Sequence, residues 1–290
     1  MATPPGVTLI YNNYRTIMRE RGQPVNKFLD ILSTEAPKPL VLGWFHLMWI
    51  GILIIAIALT ARFLRRTTEK QNKWILFTFS LICIIFEVLK QLIYSYHGGE
   101  GWSYQWYAFP FQFCSTPMYV GIIAAFLSDS KVRRAMYGFL AIYGMFGGLC
   151  IYLYPEQVFN TDYLFVQIQT MLYHGILFLM GLYLIVSDRI KNKKEFLSGG
   201  FSVFLLLVLL AEIFNIIAQY TGIADISNFN MFYISPYKIT TLPALPAVQS
   251  FSFVLFLLVY LLAFILFSHM VFYVVYGLKK RDISFKKKSV

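Results

Sequence analysis

The sequence predicts an all-helical integral membrane protein of about seven spans, with its N-terminus outside and its C-terminus cytoplasmic. Three observations carry that reading. Hydrophobic residues make up 58% of the 290 residues and charged residues 13%, with mean hydropathy +0.61, which is outside the range of an ordinary soluble domain. The apolar residues fall in runs of about 20, the length that crosses hydrocarbon as helix, and a chain in hydrocarbon must satisfy its own backbone hydrogen bonds. The Lys and Arg residues behind the net charge of +11 sit in short clusters between those runs. There they set orientation against the membrane and do not form a nucleic-acid surface.

Residues 1–37 precede the first span. Ile10, Tyr14 and Ile17, then Val25, Phe28, Leu29 and Leu32, have helical spacing, with Arg15, Arg19 and Arg21 on other faces. This is the pattern of an amphipathic segment lying in the interface. No secretory signal is legible there, and the first span is expected to serve instead. A membrane domain over residues 38–278 follows, with spans from Leu40 to Ala61, Trp74 to Tyr96, Tyr104 to Leu127, Ala135 to Tyr154, Tyr163 to Val186, Leu197 to Gln219 and Pro246 to Tyr276. Basic clusters follow the first span (Arg62, Arg65, Arg66, Lys70, Lys73), the third (Lys131, Arg133, Arg134) and the fifth (Arg189, Lys191, Lys193, Lys194), and a basic tail occupies residues 279–290. The connections after the second and fourth spans have no Lys or Arg, and the one after the sixth has only Lys238. The positive-inside rule makes the basic connections cytoplasmic. The five basic residues before the first span run against that orientation.

Cys83, Cys114 and Cys150 lie in apolar runs without paired spacing, so neither a disulfide framework nor a metal site is indicated, and no cofactor is called for. Gly144 and Gly148, beside Gly147, form a GxxxG spacing that lets another helix approach closely.

Polar side chains at membrane depth need a partner, a wet cavity or a role. Cys114 and His174 each lie about ten residues, roughly 15 Å, from the outer ends of their spans, so they are level. Glu87, Lys90 and Gln91 share a face of the second span, and Glu212 and Asn215 lie in the outer half of the sixth. His46 belongs to the outer part of the first span and Asn230 to an outer connection. Two readings stand side by side. In one, these groups line a polar chamber; in the other, Glu87–Lys90 and Glu212–Asn215 neutralise each other as packing pairs. A nucleophilic Cys114 requires a base, for which His174 is the candidate. A third group would orient the imidazole, from among Glu87, Gln167 and Asn215. Gln112 and Asn230 are candidate oxyanion donors. Ser115 and Thr116 are alternative nucleophiles, or hydroxyls bonded back to helix carbonyls.

Four stretches in order, FPFQFCSTPMY, GGLCIYLYPEQVF, IQTMLYHG and FNMFYISPY, resemble the bacterial YwaF family of multi-pass proteins, which is related to the eukaryotic transmembrane protein 164. The likeness runs from about Phe45-His46 to the seventh span. It implies a cysteine-dependent acyltransferase acting on phospholipid, with the acyl-cysteine on Cys114 and the histidine partner at His174. In a bacterium it also implies the cell membrane, with membrane lipids as acyl donor and acceptor. Gln112 and Tyr173 stand where many members carry histidines. Acyl-ester hydrolysis is the neighbouring possibility. The alternatives are a transporter or binding protein for a small polar molecule or ion, using the Glu, Lys and Asn groups, and a non-catalytic lipid-binding protein.

Overall fold

In the computed structural model, residues 24–96, 101–156, 158–190, 193–222 and 228–288 are described. The first 23 residues, and with them most of the expected interfacial segment, lie outside that range. Its last part is helix α1, Pro24–Leu32, which buries Leu29 and exposes Phe28 and Ile31. The long helices are α2 (Trp44–Phe63), α3 (Glu69–Ser95), α5 (Lys131–Leu153), α6 (Leu164–Val186) and α7 (Glu195–Thr221), with a short α4 (Thr116–Phe126) between α3 and α5. A short α8 (Pro246–Phe251) and the long α9 (Phe253–Lys288) complete the order. Among the described residues, six helices are long and apolar enough to cross a membrane, and the protein is a multi-pass integral membrane protein.

Local chemistry sets several boundaries. Thr68 and Gln71 form a reciprocal capping box at the start of α3, Ser130 accepts from the Arg133 N–H at the start of α5, and α7 stops at left-handed Gly222. Two predicted spans differ. The expected seventh span is broken at Ser252, which is extended and whose hydroxyl caps α9 by accepting from Leu255 N–H; beyond Tyr276 the helix runs on to Lys288. The expected third span is helical only in its second half. Its first half, residues 104–115, is an irregular stretch with short turns at Trp106–Ala108 and at 113–115, because Pro110 cannot donate a helical hydrogen bond and Pro117 is suited to a first helical turn.

The irregular stretch is not left to lipid. Gln91 on α3 donates to the Ala108 carbonyl, Tyr119 OH to the Pro110 carbonyl at 2.9 Å, Thr116 Oγ1 to the Phe113 carbonyl at 3.0 Å and Tyr173 OH to the Cys114 carbonyl at 3.2 Å. Side chains thus replace the helical partners that backbone at this depth requires.

Helices α5 and α6 form the centre: 61% and 67% of their apolar stretches are buried, against at most 33% in the other spanning helices. Beside them lies an aromatic core. Tyr143 stacks on Phe204 with centroids 4.6 Å apart, and Phe264 contacts both Phe204 at 4.5 Å and Phe113 at 5.2 Å. At one end the basic connections converge. Glu69 pairs with Arg133 at 3.2 Å and with Arg189, and Arg134 pairs with Glu195 at 2.9 Å. The connections after α2, α4 and α6 therefore share an end, as the charge alternation predicts. At the opposite end, Lys38 reaches Asn160 at 2.8 Å and Ala36 N–H donates to the Asp162 carbonyl at 2.7 Å.

Candidate functional site

Cys114 does not sit inside a helix. It stands at the junction where the irregular stretch turns into α4, two residues before Thr116. Phe113, seated in the aromatic core, and Tyr173, bonded to the Cys114 carbonyl, anchor this junction on both sides.

His174 follows Tyr173 on α6, the two rings 5.4 Å apart at 66°. Its Nδ1 lies 2.7 Å from the Thr170 carbonyl. A carbonyl only accepts, so Nδ1 carries the proton and the lone pair is on Nε2. Among the described residues that Nε2 is buried and has no hydrogen-bond partner. An orphaned buried acceptor is uncommon and calls for an explanation. Cys114 and His174 are not hydrogen-bonded to each other.

The glycines of α5 seat both elements. A Cβ on Gly147 would meet Phe113 Cε1 at 3.2 Å and lie 3.9 Å from Cys114 Cα, and one on Gly148 would meet Phe178 N at 2.7 Å and collide with the His174 carbonyl. The GxxxG spacing is thus the surface against which the cysteine junction and the histidine helix are both packed.

The other predicted residues divide into three groups. Glu87, buried, pairs with Lys90 at 2.7 Å and accepts from Gln91 at 3.0 Å; this is the packing pair. Gln112, Asn215 and Asn230 hold the connection after α7. Gln112 donates to the Asn230 carbonyl and accepts from Phe232 N–H, both at 3.1 Å. Asn215 donates to the Met231 carbonyl at 3.2 Å and to Glu212 at 3.3 Å, and accepts from Met231 N–H at 2.7 Å. Asn230 Oδ1 accepts from Ser235 N–H at 2.9 Å. Of the expected oxyanion donors, Gln112 spends an amide N–H and its oxygen on folding a loop, because an amide matches the donor and acceptor of a backbone turn at once, while Asn230 is held in the same loop through its Oδ1. That loop needs them: Phe232 and Tyr233 are consecutive left-handed residues, φ 57° and 59°, a conformation costing about 1–3 kcal/mol each.

The third group lies apart. Gln167 does not orient His174; its amide points to the carbonyls of Pro37 at 3.2 Å and Thr161 at 3.0 Å. His46 accepts from Leu42 N–H at 3.1 Å and donates to the Tyr152 carbonyl at 3.0 Å, so both ring nitrogens are satisfied. Thr116 is bonded back to the chain, as a hydroxyl without a catalytic role would be. Tyr173 was not singled out from the sequence as a site residue, since nothing there ties its hydroxyl to a carbonyl 59 residues earlier.

The four motif stretches converge through these contacts: the first meets the second at Gly147, the third at Tyr173 and the fourth at Gln112, while the second meets the third where Tyr152 OH donates to the Met171 carbonyl at 2.8 Å. No curated protein matches the sequence, and no solved structure matches it. A sequence model described as the TMEM164 family matches residues 41–276, a range that takes in all four stretches. The chain belongs to the TMEM164 family.

Proposed function

We propose that the protein is a membrane-embedded acyltransferase that uses Cys114 as nucleophile and His174 as base on phospholipid. The observation that carries this reading is the bare, buried Nε2 of His174, its tautomer fixed by Thr170, on the helix that holds the Cys114 carbonyl. The resemblance of the motif stretches to a family with an acyl-cysteine chemistry supports it.

In this reading His174 Nε2 takes the Cys114 thiol proton, and the thiolate attacks the ester carbonyl of the donor lipid. The ester C–O bond breaks, the departing alkoxide takes the proton from the imidazolium, and an acyl-thioester remains. An acceptor hydroxyl, deprotonated by the same nitrogen, then attacks the thioester; the cysteine sulfur leaves and regains the proton. Hydrolysis is the same second step with water. Gln112 is engaged with the loop, and the N–H groups of Ser115, Thr116 and Met118 are bonded to the Gln112 and Ser115 carbonyls, so in this reading a donor for the oxyanion must be released from its present partner when the lipid binds. Substrate-free enzymes often hold such pairs apart and tighten them on binding. The grooves at the basic end border neither residue, so the donor lipid reaches them laterally, between helices.

The test is acyl exchange between labelled phospholipids by purified protein, with intact-mass measurement of an acyl adduct. Cys114→Ala abolishes exchange and adduct. His174→Ala lowers the rate by about 10²–10⁴-fold. Wild-type exchange by both variants would sink the proposal. Loss of uptake in Glu87→Gln with a dispensable cysteine would favour transport instead.

A further inference from the structure

The basic end holds its arginines and lysines differently. Arg133, Arg134 and Arg189 are all consumed in ion pairs with Glu69, Asp129 and Glu195. Lys193 and Lys194 are exposed and face a groove of about 490 Å³ between the start of α7 and the middle of α9. Lys193 lies over the Phe272 and Tyr273 rings at 5.5 and 5.4 Å. No carboxylate lines the groove among the described residues, and the neighbouring Glu195 is turned into its pair with Arg134.

The rest of the lining grades from polar to apolar. Ser198 and His269 supply polar groups next to the lysines, and Phe201 and Ile265 lie further along the two helices. His269 Nδ1 is bound to the Ile265 carbonyl at 2.9 Å, which fixes the ring at the groove. Uncompensated cations at one end, hydroxyl and imidazole in the middle and an apolar wall leading inward match the order of chemistry along an anionic lipid: phosphate, glycerol, acyl chain. Free inorganic phosphate would use only the first part.

We propose that this groove is a binding site for an anionic phospholipid of the bilayer, headgroup on Lys193 and Lys194 and acyl chain along Phe201 and Ile265. It shares no residue with the Cys114 and His174 site, so it stands whether or not that site transfers acyl groups. Juxtamembrane lysines attract anionic lipid individually; a groove adds a place where one molecule is held.

The experiment is native mass spectrometry of the full chain released from detergent, titrated with phosphatidylglycerol, with phosphatidylcholine of the same chains, and with inorganic phosphate. Wild type retains a phosphatidylglycerol adduct that resists dissociation, whereas phosphatidylcholine and phosphate give none of comparable strength. Lys193→Ala with Lys194→Ala weakens it roughly 30-fold, while Lys131→Ala, which removes a charge at the same end, changes it little. Ser198→Trp fills the groove and leaves both lysines, so it displaces the adduct without altering charge and serves if the double variant fails to fold. Equal retention of the two lipids, an unchanged adduct in the lysine and tryptophan variants, or equal loss in Lys131→Ala would each overturn the proposal, and phosphate competing at lipid concentrations would overturn the lipid as occupant.

Discussion

His46 and His174 are both buried in apolar helices, and the sequence ranks them only by depth, which sets His174 level with Cys114. Their ring nitrogens separate them: His46 joins two backbone segments with both, whereas His174 spends one and leaves the other bare. Tyr173 gives the same lesson for hydroxyls. We predict that Tyr173→Phe, which removes the bond to the Cys114 carbonyl, costs about 0.5–1.5 kcal/mol of stability, measured by unfolding in detergent. It also slows acyl exchange while leaving donor-lipid affinity near wild type. An equal loss of affinity would mean that Tyr173 contacts the lipid and does not position the cysteine. At this scale Cys114, Gln112 and Asn230 are conspicuous in the sequence as polar groups in apolar surroundings. That the amides fold a loop was not legible, because the loop's left-handed residues, Phe232 and Tyr233, are not residues that advertise such a conformation.

At the scale of elements, the limits of α3, α5, α6 and α7 lie within about five residues of the spans read from hydropathy, since length and apolarity are what a membrane imposes. The third span was misjudged because composition cannot tell a helix from an apolar stretch whose carbonyls are caught by side chains elsewhere. The glycines of α5 were legible as a packing surface, though not what they pack. We predict that Gly148→Ala, whose Cβ would meet the α6 backbone, destabilises the fold by about 1–3 kcal/mol. By contrast, Gly51→Ala in α2, with nothing within 4 Å, is neutral or stabilising by up to roughly 1 kcal/mol through helix propensity. Paired thermal unfolding measurements check both; similar effects would mean that the α5–α6 contact gives way easily.

At the scale of the whole molecule, charge gave the arrangement of the ends: the connections predicted to share a side are tied together through Glu69, Arg133, Arg134, Arg189 and Glu195. The distribution of polar groups gave less. Among the described residues the polar groups fall into separate sets: Glu87 paired with Lys90 on α3, the amides in a loop, and grooves at the basic end. Hydropathy counting assigns depth along a helix, and it cannot assign the direction in which a side chain faces.

The clamp between Gln112 and the strained loop has a consequence for how the protein is made. The cysteine stretch emerges early in synthesis, but the backbone that closes over Gln112 lies about 120 residues later. A nascent chain therefore carries the cysteine stretch without the Gln112 bonds until the loop arrives. We predict that Gln112→Ala leaves the full-length protein partly in that earlier condition, with faster amide hydrogen exchange across residues 109–115 and 228–235 together. Faster exchange in one segment alone would show that the two close independently.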